Sequence, residues 1–144
     1  MKRALVPLDR TETAETVLPI VKALADAGVS VRVLHVAPTP DNVMGTDGYL
    51  IAYSDQETSR METDWTDYWA SLEAQHHVGA ELAIRFGDPA TQILAEAEAF
   101  GADTIVVTTG RRCGVSRTLL GSVAERMLRR AGVGVLLYRP PAER

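Results

Sequence analysis

An open five-stranded parallel sheet with helices on both faces, an α/β fold in one domain, is what this sequence predicts on three observations. Short runs rich in Val, Ile and Leu alternate with segments whose apolar residues recur at helical spacing, in the order β-α-β-α-β-α-β-α-β. Gly, Pro and Asp punctuate the joins between them. The 144 residues fit one domain, residues 1–144, with no internal repeat and no linker to divide it.

Residues 3–8 read as the first strand, because Ala4, Leu5 and Val6 form the continuous apolar run of a strand covered on both faces. Ala14, Val17, Leu18, Val21, Leu24 and Ala25 follow at helical spacing, and Ala27-Gly28 closes that helix. Pro19 falls inside it and is expected to kink it or loosen its first turns. Residues 29–36 form the second strand, ended by Pro38 and Pro40. Between residues 38 and 56, Asp41, Asn42, Gly45, Asp47 and Gly48 read as loop, with Tyr49-Leu50-Ile51 as a short turn or helix start.

From about Asp55 a helix is expected, with Met61, Trp65, Tyr68, Trp69 and Leu72 along one face as packing surface. In residues 80–86, Leu82, Ile84 and Phe86 alternate with charged residues, which suggests a strand with a wetter face or near the sheet edge. Gly87-Asp88-Pro89 starts the next helix: Asp88 can cap it and Pro89 suits its first position. Ala90, Ile93, Leu94 and Ala97 face the core, and Gly101 ends the helix. The Ile105-Val106-Val107 run marks residues 103–108 as a central strand. Gly121-Ser122 opens the last helix, with Val123, Met127, Leu128 and Ala131 on one face and Gly132 at its end. Residues 133–138 form the fifth strand before Pro140-Pro141.

Charge is divided unevenly. Residues 1–104 carry 17 acidic and 7 basic side chains, a balance of −10, whereas residues 105–144 carry 2 acidic and 8 basic, a balance of +6. All eight are arginines, whose planar fork matches phosphate and carboxylate oxygens. They equally serve to solvate helix faces and balance the acidic part. A broad nucleic-acid surface is not expected in a chain of pI near 5.3. No run of about 18 apolar residues occurs, so no membrane span is expected. The start MKRALVPLDR lacks a secretory pattern and the single Cys113 forms no internal disulfide, so the expected location is the cytoplasm.

Ligands on open parallel sheets bind beyond the carboxyl ends of the strands, where strand order reverses. That rule points to Pro7-Leu8-Asp9, to Val36-Ala37 and to the connection from Thr108 onward. The last is the longest, TTGRRCGVSRTLLGS, with Gly110, Gly114 and Gly121, three arginines, and the hydroxyls of Ser116, Thr118 and Ser122. Glycine lets backbone N–H groups approach an anion, and Gly121-Ser122 at a helix start adds free donors and the positive end of the dipole. Arg111 and Arg112 can add charge-assisted bonds to phosphate. The alternative is an exposed loop with an ordinary serine cap on the next helix.

The chain resembles the universal stress protein family over nearly its full length. The resemblance rests on Val6-Pro7-Leu8-Asp9, Leu34-His35-Val36, Gly87-Asp88-Pro89-Ala90 and Gly101-Ala102-Asp103-Thr104-Ile105-Val106-Val107. Its strongest part is Ser116-Arg117-Thr118-Leu119-Leu120-Gly121-Ser122-Val123-Ala124-Glu125-Arg126, followed by a short terminal strand. The resemblance implies an adenine nucleotide α-hydrolase-like, Rossmann-like fold, a homodimer, and a role in stress survival. One branch of that family binds ATP through Gly, two residues, Gly, nine residues, Gly, then Ser or Thr. Counted back from Gly121-Ser122, the first two glycines fall at Thr108 and Arg111, so this chain keeps the second half of the pattern and departs from the first. By resemblance, Pro7, Asp9 and Val36 contact adenine and ribose, Val107 packs on the base, and Thr108, Gly110, Arg111, Arg112, Gly121, Ser122 and Val123 surround the phosphates. Asp9 could also help hold a metal ion such as magnesium, or simply cap the first helix with Glu12 as in a capping box.

Other signals carry less. Cys113 beside Arg111 and Arg112 fits a stabilised thiolate, but a lone loop cysteine is more often incidental. His76-His77 has no partner at metal-ligand spacing, His35 reads as strand packing, and no structural zinc site is expected. No Gly-x-Ser-x-Gly elbow, no Gly-Lys-Ser/Thr phosphate loop and no nucleophile–base set occurs, which argues against an enzyme. Three readings follow: a dimeric regulator that binds ATP or another adenine nucleotide with magnesium; a dimeric interaction module that binds no ATP and acts on protein partners; and, last, a weak ATP hydrolase relying on bound metal and water. The dimer contact is expected through Val135, Leu136 and Leu137 of the terminal strand.

Overall fold

The computed structural model describes residues 1–8, 15–39, 48–108 and 122–139, with the backbone alone described at 48–55 and at Ser122. Five strands alternate with helices: β1 (Arg3–Pro7), α1 (Leu18–Asp26), β2 (Ser30–Ala37), α2 (Gly48–His76), β3 (Glu81–Phe86), α3 (Pro89–Phe100), β4 (Thr104–Thr108), α4 (Ser122–Arg130) and β5 (Gly134–Tyr138). Every strand pair is parallel, in the order β3-β2-β1-β4-β5. The chain therefore winds one way from β1 to β3, then crosses back to β4 and winds the other way. Beside β1 and β4 the direction of winding reverses, the position at whose carboxyl edge open parallel sheets bind ligands.

That reversal distributes the helices over both faces. On one face Ala4, Val6 and Leu8, with Val31, Val33 and Val106, pack against Leu18 and Val21 of α1 and Trp65, Trp69 and Leu72 of α2. On the other, Leu5, Leu34, Ile105 and Val107 pack against Ala90, Ile93, Ala97 and Phe100 of α3 and Ala124 and Met127 of α4. Side chains alternate along a strand, so the apolar runs of β1, β2 and β4 feed both cores at once.

The predicted aromatic stripe of α2 faces the sheet, with Trp65 fully buried; truncating it to alanine would cost about 3–5 kcal/mol. Asp88 caps α3 as expected, accepting a 3.0 Å bond from the Thr91 N–H, and Pro89 follows it. Gly101 closes α3 in the left-handed region, at φ 73°. The alternating third strand lies at an edge, where a wetter face is tolerated.

Two expectations are corrected. Pro19 does not kink α1, because that helix begins at Leu18 and the proline occupies its first turn, where no intrahelical N–H partner is lost. The long helix begins at Gly48 rather than near Asp55. Gly48, read as loop, is its first residue, and Tyr49-Leu50-Ile51, read as a short turn or a helix start, belong to its first turn.

Candidate functional site

The strand register assembles the carboxyl edge. Pro7 pairs with Leu34, and the Leu8 N–H continues the ladder by donating to the Leu34 carbonyl at 2.8 Å. Ala4 pairs with Thr104 and Leu5 with Ile105, and continuing that offset sets Pro7 beside Val107 and Leu8 beside Thr108. Thr108 in turn pairs with Tyr138, and His35 with Ile84. His35, Leu8, Thr108 and Tyr138 thus form one row at the edge, on the face covered by α1 and α2.

In that row His35 stacks on Trp65, with ring centroids 4.4 Å apart and planes 25° apart. Its Nδ1 lies 3.2 Å from the Leu8 carbonyl oxygen; a carbonyl only accepts, so Nδ1 carries the proton. Trp65 also meets Tyr68 in a tilted ring contact, with centroids 5.3 Å apart and planes at 32°, and the Tyr68 hydroxyl donates to Glu15. Among the described residues, two buried side-chain polar atoms lack a hydrogen-bond partner: the Trp65 Nε1 and the Thr108 Oγ1. Both belong to this face.

The predicted site residues divide between the two faces. Pro7 and Val36 are half-buried at the ends of β1 and β2, and Val36 packs into the cluster under α3 and α4. Val107 is buried in the same cluster, and Val123 packs against it from the first turn of α4. Thr108 points to the opposite face. The set meets only at the edge itself, where β1 and β4 end side by side. The backbone of α4 starts at Ser122, so the N-terminus of this helix closes the connection that leaves β4. Asp9, Glu12, Gly110, Arg111, Arg112, Cys113, Gly114, Ser116, Thr118, Gly121 and Pro140-Pro141 lie outside the described residues, as does the Ser122 side chain.

Two ionic arrangements escaped the sequence reading. Asp88, expected only as a cap, also receives both Arg126 guanidinium nitrogens at 3.0 and 3.1 Å, tying the start of α3 to α4 one turn in from Ser122. The Arg126 bonds, then those from Thr91, hold the Asp88 carboxyl well below the ordinary carboxylate range. On β2 and β3, Arg32 and Arg85 converge on buried Glu96 of α3 at 2.7 and 2.6 Å, and Arg32 lies 4.2 Å over the Phe100 ring. Burial pushes the Glu96 carboxyl up, but the bonds from Arg85 and Arg32 outweigh it and leave it lowered. The signal was present as unlike charges on facing elements, yet pairing them requires the register.

The sequence profile of the Universal stress protein family matches residues 1–139. A curated relative, Universal stress protein MJ0531 of Methanocaldococcus jannaschii, is 46% identical over 55 residues, covering 38% of this chain but only 32% of that protein's length. The structure of hypothetical protein MJ0577 superposes with a TM-score of 0.77 at 24% identity, covering 99% of this chain and 98% of that one. A universal stress protein solved in complex with cAMP superposes at 0.62 with 17% identity, over 97% and 98% of the two chains.

Proposed function

The chain belongs to the universal stress protein family, and from that premise we propose that it is a dimeric, cytoplasmic stress-response regulator that binds ATP or a related adenine nucleotide at the carboxyl edge of its sheet. The observation that carries this reading is the meeting of β1 and β4 at the reversal of winding, with the α4 N-terminus closing the connection out of β4. A family member of the same fold in complex with cAMP supports an adenine nucleotide as the ligand class.

In this reading Pro7, Asp9 and Val36 meet the base and ribose, and Val107 backs the base from the core side. Thr108, Gly110, Arg111, Arg112, Gly121, Ser122 and Val123 surround the phosphates. Among the described residues no three His, Cys, Asp or Glu side chains cluster as metal ligands. Magnesium would arrive on the phosphates, with Asp9 to assist. No helix among the described residues is long and apolar enough to cross a membrane.

The dimer contact falls on β5. This edge strand exposes Leu136 at 42% and Leu137 at 37%, whereas the opposite edge, β3, carries Glu81 and Arg85. Charged residues discourage edge pairing, and an apolar edge invites it.

The test is the ligand content of the purified protein. Denaturation should release an adenine nucleotide, identified by absorbance and mass, and Asp9→Ala or Ser122→Ala should purify without it. A second reading, an interaction module that binds no ATP, is favoured by Thr108, whose side chain stands where the family's ATP pattern has glycine. A stable dimer that releases no nucleotide and takes none up would select that reading.

A further inference from the structure

The described arginines fall into two groups. Arg3, Arg32, Arg60, Arg85 and Arg126 each hold an acceptor: a carboxylate or, for Arg3, the Phe100 carbonyl. Arg129, Arg130 and Arg139 are exposed and make no ion pair among the described residues. These three flank β5, since α4 ends at Arg130 just ahead of the strand and Arg139 follows directly after it. The negative end of the α4 dipole favours cations in its last turn, but no such field acts at Arg139. The five residues of β5 span about 17 Å. Within one chain, Arg139 therefore stands at the carboxyl edge of the sheet and the Arg129–Arg130 pair at the amino edge, too far apart to grip one small anion.

A two-fold dimer removes that separation. When an edge strand pairs with its own copy about a two-fold axis, the two strands run antiparallel. The carboxyl end of each β5 then lies against the amino end of the other, and Arg139 comes beside the partner's Arg129 and the partner's Arg130. Glu125 is the one carboxylate in residues 122–139, and counted fully against such a cluster it leaves a surplus of two positive charges. Asp103, whose carbonyl accepts from the Gly134 N–H at the amino end of β5, spends its carboxylate on the Lys2 and Arg3 N–H groups.

We propose that each end of the β5–β5 interface is a composite site for a short phosphate chain, built from Arg139 of one copy with the partner's Arg129 and the partner's Arg130, and incomplete in the monomer. Such a site rests on the dimer reading above and owes nothing to the nucleotide reading. Guanidinium forks hold phosphate oxygens by paired, charge-assisted bonds, and linked phosphates carry enough charge to offset the surplus. An anion that binds only the dimer strengthens the assembly by mass action.

The test titrates the full-length chain with inorganic tripolyphosphate in calorimetry at constant ionic strength, with light scattering on the same solutions. Wild type should be a dimer that binds one tripolyphosphate per chain. Arg139→Gln and Arg130→Gln should stay dimeric, because neither loses an attractive contact, and should bind the anion about tenfold more weakly. Monomeric Leu137→Lys should lose this binding even though it adds a positive charge. Undiminished binding in monomeric Leu137→Lys or in Arg139→Gln would place the anion elsewhere and overturn the proposal, as would a wild-type dimer that binds none; the dimer reading survives each of these. Loss of the dimer in Arg139→Gln would overturn it too, since the guanidinium would then already hold a partner across the interface. Wild type that scatters as a monomer with and without tripolyphosphate would remove the dimer reading and the composite site together.

Discussion

Glu96 concentrates the problem of a buried charge in one side chain. Its carboxylate is withdrawn from water on α3, and two guanidinium groups from β2 and β3 share it. Each arginine is itself about a third exposed, so losing the carboxylate strands no fully buried cation. Glu96→Gln should therefore cost about 1–2 kcal/mol, less than a fully buried pair would, read as a shift in urea midpoint at constant slope. The sign of its pH dependence is fixed by the lowered carboxyl. The folded protein holds fewer protons than the unfolded chain in acid, so this stability is complete above the unfolded value of about 4.5 and is lost as pH falls through the lower folded one. Wild type should lose stability as pH falls below about 4.5, and Glu96→Gln should lose less over the same fall. A parallel decline in both proteins would show that Glu96 is not the titrating group.

Among the helices, α3 is the best defined by its ends. Asp88 caps its start and Gly101 closes it in the left-handed region. Asp88→Ala removes the bond to the Thr91 N–H and should lower the urea midpoint of unfolding at constant slope. Asp88→Asn, which still accepts at the cap, should cost less, and the difference reports the tie to Arg126. Gly101→Ala should also cost about 1 kcal/mol, because φ is 73° there and the added Cβ would meet the Arg3 Nη1 at 3.0 Å. Both ends of α3 were readable in Gly87-Asp88-Pro89 and Gly101, since capping is local chemistry carried by adjacent residues. The start of α2 was not, because Gly48–His76 opens directly after a glycine- and aspartate-rich stretch and its apolar stripe begins only at Met61. Of the two effects expected of Pro19 the kink is absent, while residues 16–17 ahead of it form a turn before the regular helix starts at Leu18; a proline inside a helical pattern and one in its first turn differ only in where the chain enters the helix.

For the molecule as a whole, alternation of strand and helix was enough to specify a parallel sheet, and the reversal of winding follows from the order β3-β2-β1-β4-β5. The ends of β1, β2 and β4, to which the sequence pointed, lie side by side. That Val107 and Thr108 face opposite cores follows from their adjacency in one strand, but the sequence could not reveal that the Thr108 hydroxyl lacks a partner, because that depends on what distant elements bring against it. The two sheet edges are unlike in chemistry, and the proposed dimer exploits that contrast. Leu137→Lys, which charges the apolar edge without entering either core, should shift the protein from dimer to monomer in light scattering at micromolar concentration. Glu81→Lys at the far edge should leave the assembly unchanged.

The proposed nucleotide site lies at the carboxyl edge between β1 and β4, and titration calorimetry of the purified chain tests it most directly. With ATP and magnesium the expected result is saturable heat at one nucleotide per chain, lost in Ser122→Ala. Absence of heat with ATP, ADP and AMP alike, with or without magnesium, would contradict nucleotide binding at this edge.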